Sequence, residues 1–560
     1  MRTVARASGA MIAGRSVTGG LLALGAFLIS FSPSLLPRPW ALQAVAAAVS
    51  ALLGYAMGAL LGSLTSDVAG WLGVRVTIDP PRRRRFAIVA VVVLTTLSLW
   101  AWVAGHQGRQ QTARLVDLPP PTWWDDTRAL LGGLALTLLL LMPIWLIRMA
   151  FRASRQVMSR TFPRPVASLL AAGLVIAMTT WLTQSYVVSR VLESVSSSAL
   201  STDQGTSPGA VQPTTELVSG GPGSTQTWEE LGRQGRNFTG RTPTPAQISA
   251  ATGRPAVQPI RVYASPPDGA AEPEELAAIA VKELRRTGGF DRPAIALFGT
   301  TGSGWVNHYS VQSAEYLLDG NCASVAVQYS FLPSPVQFLT NKSLPQQTGR
   351  ALVKAVQAEL AKMPVDQRPK LYVSGESLGS FGMQAAFDSE QDMLQSVDGA
   401  VWIGTPNDTP LWRSITASRT RGSPEITPVI DNGKHVRFAS TREELSADRY
   451  GRPLGDWQSP RVVYLQHASD PIVWWTPSLA WREPPWIGEK AGRDVDPYLR
   501  WWPLVTMWMV GVDFAIGNSP PQGHGHIYRD EILDAWAGVL DKAPSPAERT
   551  KILTAIHRSQ

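Results

Sequence analysis

The sequence predicts a two-part chain: an N-terminal all-α transmembrane bundle of five spans, followed by an α/β domain on a mostly parallel, doubly wound sheet. Long apolar runs crowd the first 190 residues, and from Ile260 onward short apolar runs alternate with amphipathic helical stretches. The length, 560 residues, also exceeds what one ordinary core organises. One cysteine, Cys322, excludes an intrachain disulfide and a cysteine-built zinc site.

The expected spans lie near 16–36, 40–62, 86–105, 129–149 and 166–188. Each approaches the roughly 20 helical residues that a hydrocarbon core requires. The net charge of +8 sits largely in arginines between these runs, such as Arg82 to Arg85, and reads as membrane topology. No basic groove with interleaved aromatics points to nucleic acid. The N-terminal tail carries Arg2, Arg6 and Arg15, the second connection Arg75 and Arg82 to Arg85, and the fourth Arg148, Arg152, Arg155, Arg160 and Arg164. Placing the positive connections inside gives a cytoplasmic N-terminus and, after five crossings, an extracytoplasmic C-terminal domain in the plasma membrane. No Asp, Glu, Lys or His falls well inside a span, which favours an anchor or lipid-facing platform over a transport path.

Residues 194–224 are rich in Ser, Thr, Gly and Pro and read as a flexible tether. They include Gly205-Thr-Ser207-Pro-Gly209, a match to G-x-S-x-G with no strand before it and Pro208 after the serine. The alternating pattern then yields strands at IRVYAS, AIALFG, SVAVQYSFL, KLYVSGES, AVWIGTP and RVVYLQHASDP, with helices between them.

In KLYVSGESLGSFG, Gly375-Glu-Ser377-Leu-Gly379 follows a strand and precedes a helix. That context fits the nucleophile elbow of α/β-hydrolases, with Ser377 at the carboxyl end of a parallel strand. The triad order in that fold is Ser, Asp or Glu, then His. Asp470 follows the last apolar strand and is the expected acid, with Asp408 and Asp431 as rivals. In PPQGHGHIYRDE the base is expected at His526, with His524 as the alternative. His467 reads as a packed residue and His557 as solvated. The oxyanion donors are expected at Leu378 and at Thr300 or Thr301 in FGTTGSGW, a loop without the lysine of a phosphate loop. The chemistry requires no metal or organic cofactor.

FSPSLLPRPW, LGRQGRNF, PIRVYAS, GESLGSFG, GSPE and GHGHIY together resemble blocks of the actinobacterial membrane-anchored α/β-hydrolase family, over nearly the whole chain. The resemblance implies a serine hydrolase and names no substrate. The expected domains are 1–192 transmembrane, 193–225 linker and 226–560 hydrolase, with the sheet core from about 258. The stretch WWPLVTMWMVGVDFAIG looks helical where many hydrolases have a last strand, and a shorter sheet is an option. Residues 405–460 read equally as a lid or a surface excursion. Tryptophans between 474 and 508 offer either an apolar acyl pocket, a headgroup-level surface or core filling. The expected activity is esterase or lipase-like hydrolysis of an ester with an apolar or lipid-like acyl group, beside a lipid bilayer. The alternatives are acyl transfer to an envelope alcohol and an inactive membrane scaffold.

Overall fold

The computed structural model describes residues 17–73, 80–266 and 271–559. It divides into two compact units, one comprising residues up to Arg190 with Trp475–Pro521, the other Val191–Trp474 with Gln522–Gln560.

The first unit opens with helix α1, Val17–Ile29. It continues with α2 (Trp40–Trp71), α3 (Pro80–Leu115), α4 (Trp123–Met158) and α5 (Arg164–Leu182). Four helices among the described residues, starting with α2, are long and apolar enough to cross a membrane, which marks a multi-pass membrane protein. Five spans were expected, and the first is not among them. Among the described residues this helix covers only Val17–Ile29, fewer than the roughly 20 residues a span takes. The chain turns at Ser30, where the backbone N–H bonds Ala26 O and the hydroxyl bonds Phe27 O, and Pro33 and Pro37 follow. The apolar window had run through this turn. Arg2, Arg6, Arg15 and Arg75, and with them the expected side of the N-terminus, lie outside the described residues.

Polar groups are buried at helix ends beyond the apolar windows. Asp126, in the first turn of α4, is paired with His106 and Arg109 from the last turns of α3, and His106 stacks on Trp123. The turn between Phe31 and Pro39 cradles Asp513, from the helix Val505–Asp513 in the same unit. Asp513 Oδ1 accepts from Arg38 Nε at 2.6 Å, and Oδ2 accepts from the Leu35 amide at 3.2 Å and from the Ser34 hydroxyl. Arg38 also donates to Gln43 Oε1 (2.9 Å) and Met509 O (3.2 Å). Ala26, Val505 and Met509 pack beside this pair. The FSPSLLPRPW block is therefore a carboxylate clamp for a residue 475 positions after Arg38. In the tryptophan-rich stretch Trp474 and Trp486 are buried and Trp481 is 70% exposed, so these rings divide between core and surface.

In the second unit, residues 193–225 were expected to act as a tether. They carry the end of helix α6 (Ser189–Gln204) and then pack on the domain. Ser219 N bonds Arg261 O, and the Thr225 amide donates to Glu283. The sheet has seven strands: β1 (Ile260–Ala264), β2 (Ala294–Gly299), β3 (Ala323–Val327), β4 (Lys370–Glu376), β5 (Gly399–Ile403), β6 (Val436–Ala439) and β7 (Arg461–Leu465). Their order is β1-β3-β2-β4-β5-β7-β6, and every pairing is parallel. Helices Pro273–Arg286, Ser343–Leu360 and Leu378–Gln384 cover one face; His308–Leu317 and Asp530–Val539 cover the other. The strands are therefore buried on both faces, which their near-continuous apolar runs require. Residues 405–460 supply β6 at the sheet edge, so part of this insertion belongs to the sheet.

Register sets where the loops emerge. Gly299 pairs with Gly375, Glu376 with Ile403, and Ile403 with Leu465. The carboxyl ends of β2, β4, β5 and β7 are thus level, and the chain order reverses between β2 and β4, where ligands of such sheets bind.

Candidate active site

Ser377 leaves β4 with φ 54° and ψ −120°, a conformation costly for a residue with a Cβ. The fold holds it there. The Ser377 amide donates to Ile403 O at 2.9 Å, and its carbonyl accepts from Phe381 N at 3.0 Å. The following helix presses on β2 so closely that a Cβ on Gly379 would lie 2.3 Å from Gly299 O. A Cβ on Gly375 would lie 2.6 Å from Gly379 C. The two glycines of the motif are thus requirements of this close approach. Ser377 itself is half-buried.

Asp470 is fully buried on the loop after β7. Its Oδ1 accepts from the amides of Ile472 (2.8 Å) and Val473 (3.4 Å). Its Oδ2 accepts from His526 Nδ1 at 2.6 Å and from the Tyr528 hydroxyl at 2.8 Å. The two loops are also joined at Gly525, whose amide donates to Ser469 Oγ (2.8 Å) and whose carbonyl accepts from His467 Nδ1 (2.9 Å). That bond puts the His467 proton on Nδ1. His467 is packed flat on Tyr528 and its Nε2 lies 3.2 Å from Glu531.

The geometry therefore joins Asp470 to His526, while His524 sits half-buried two residues earlier with its carbonyl in a turn to Ile527 N. Asp408 is paired with Lys342, and Asp431 lies in a short turn at 431–433. His557 pairs with Asp530 on the surface. Burial acts against the His526 imidazolium, but the Asp470 carboxylate, its hydrogen bond and the charge of Glu376 outweigh it, so the His526 pKa is raised.

His526 Nε2 lies 3.7 Å from Glu376 Oε1, the residue before Ser377. The other Glu376 oxygen accepts from Asn307 Nδ2. Burial pushes the Glu376 carboxyl up to about 7; His526 and the Asn307 hydrogen bond act downward, Asp470 and Glu531 upward. The sequence reading passed over Glu376, Asn307 and Tyr528. Glu376 is the variable position of the motif itself, and a carboxylate there was the available signal.

Of the expected oxyanion residues, Leu378 opens the helix after Ser377. Thr301 N donates to Trp305 O at 2.9 Å, which commits that amide to its own turn. The Thr300 hydroxyl donates to Val327 O at 2.8 Å and anchors the loop beside the elbow. Among the described residues, no group of three or more His, Cys, Asp or Glu is arranged to hold a metal ion.

Comparison with known proteins gives two matches. Residues 260–553 match the family described as Alpha/beta-hydrolase family, and residues 31–243 match Alpha/beta-hydrolase family N-terminus. No curated protein and no solved structure matches the chain.

Proposed function

The chain belongs to the alpha/beta-hydrolase family, and from that premise we propose that it is a membrane-anchored serine hydrolase cleaving an ester with an apolar, lipid-like acyl group. The observation that carries this reading is Ser377 in its positive-φ turn after β4, with Asp470 on the level loop after β7 and His526 joined to it, its Nε2 3.7 Å from Glu376 beside Ser377. Among the described residues, four spanning-length helices support a substrate drawn from or near a bilayer.

In this mechanism His526 Nε2 takes the Ser377 proton as Oγ forms a bond to the acyl carbon. The resulting oxyanion is held by the amides of Leu378 and Thr300. Its collapse breaks the bond to the alcohol oxygen, which receives the proton from His526. Water then attacks the acyl-enzyme through the same base and releases the acid. Asp470 fixes the Nδ1–H tautomer and steadies the imidazolium. Because the His526 pKa is raised, the neutral base forms only at higher pH than for an ordinary histidine, and turnover is lost as pH falls through that range.

A fluorophosphonate applied to the full chain in detergent is expected to add its phosphonyl group to the peptide containing Ser377, read by mass spectrometry. A folded protein that takes up no adduct on Ser377 overturns the reading.

We place the hydrolase unit outside the cytoplasm. Arg82, Arg84 and Arg85 precede the apolar part of α3, and Arg148, Arg152 and Arg155 in the last turns of α4, with Arg160 and Arg164, flank the turn to α5. With both connections inside, the chain emerges outside after α5, and this does not depend on α1. A periplasmic-type phosphatase reporter fused after residue 200 is expected to be active; activity of a cytoplasm-only reporter at that point would reverse the orientation.

A further inference from the structure

Glu376 takes no part in the reaction as derived above, yet it is buried with its carboxylate facing the working nitrogen of the base. Its position is held. Asn307 Oδ1 accepts from Tyr309 N at 2.8 Å at the start of the helix His308–Leu317, which fixes the amide that donates to Glu376. Asn307 Nδ2 also lies 3.4 Å from Tyr528 O, tying it to the loop that carries His526. The imidazole therefore sits between two carboxylates, Asp470 at Nδ1 and Glu376 at Nε2.

We propose that Glu376 is a second carboxylate for His526, a positioning residue that sets the pH at which the imidazole becomes the free base. This deepens, and rests on, the reading of Ser377, Asp470 and His526 as the catalytic set. The groups facing the pair come from several elements: Asn307 before the helix His308–Leu317, Asp470 and His467 after β7, Tyr528 on the histidine loop, and Glu531 on the helix Asp530–Val539. Asp470 and Glu531 hold back the ionisation of Glu376, while Asn307 and His526 favour it. A charged carboxylate at this distance favours the imidazolium; a protonated one does not. Glu376 and His526 thus titrate as a pair rather than as two independent groups. The cation gains its second partner only where Glu376 is ionised.

The sign follows. Glu376→Gln keeps an acceptor for Asn307 but removes the charge, so the imidazolium loses a stabilising partner and the His526 pKa falls. The free base then persists to lower pH. The rate of fluorophosphonate addition to Ser377, measured against pH on the full chain, is expected to show its acid-limb midpoint about one pH unit lower in Glu376→Gln. Thermal unfolding of Glu376→Gln measured alongside separates a loss of folding from the shift in midpoint. Glu376→Asp, which restores the charge, is expected to return the midpoint toward that of the unaltered protein. A purely structural role would change the plateau and the thermal stability without moving the midpoint. An unmoved midpoint in folded Glu376→Gln overturns this proposal while leaving the catalytic reading intact. Failure of the unaltered protein to label on Ser377 overturns both.

Discussion

Replacing Ser377 with alanine is expected to lower ester turnover by about 10⁴-fold or more and to abolish fluorophosphonate labelling. The magnitude follows from the covalent step. Without Oγ there is no acyl-enzyme, and the oxyanion donors alone leave only a small residue of catalysis. The substitution is conservative for the fold. Alanine carries a Cβ as serine does, so the strain at φ 54° is unchanged. The backbone bonds to Ile403 and Phe381 survive as well. Hydrolysis of a short-chain chromogenic ester by full-length protein in detergent, with thermal unfolding measured alongside, separates chemistry from folding. A folded Ser377→Ala protein that keeps more than about one per cent of turnover would remove Ser377 from the mechanism.

A comparably large effect, on stability, is expected for Asp513→Ala. Asp513 is wholly buried and receives Arg38, Ser34 and the Leu35 amide together. Its loss strands the Arg38 guanidinium in an interior site. Breaking one side of a buried ion pair costs about 3–5 kcal/mol, since the remaining charge is neither solvated nor compensated. The thermal unfolding midpoint is expected to fall on the order of 5–10 °C. Replacing both partners with apolar residues of similar size, Arg38→Met with Asp513→Leu, should recover part of that loss, because no charge is then left buried. A midpoint for Asp513→Ala within about 1 °C of the starting protein would mean that the clamp contributes nothing.

Six of the seven strands could be read from the sequence because burial on both faces asks for a near-continuous apolar run, which in β1 survives one buried charge, Arg261. The seventh, β6, is four residues, VRFA, with a charge in the middle. Arg437 is nevertheless buried, its Nε donating to Gly433 O at 2.8 Å and its other nitrogens to Leu445 and Gly455 carbonyls. No local pattern reveals that such partners will be supplied. The first expected span, 16–36, was bounded differently: hydropathy summed across Ser30 to Pro37 ignores the turn after Ile29, and only four spanning-length helices stand among the described residues. Ser377, Asp470 and the GHGH loop were legible as candidates because chain order, glycine spacing and strand ends constrain one another, and the structure joins Asp470 to His526. The sequence favoured His526 over His524 from the spacing of its glycines, but which ring meets Asp470 is decided only in three dimensions. The FSPSLLPRPW block stood out as a motif, but its function as a clamp needs a partner hundreds of residues away.

The segment Trp475–Pro521 begins five residues after Asp470 and ends five residues before His526, yet it is grouped with the membrane helices. Deleting residues 1–190 would therefore leave behind Trp475–Pro521, and with it Asp513, in the middle of the remaining chain. A cut between Arg190 and Val191, the first boundary between the two units, would part Asp513 from Arg38, the partner that holds it.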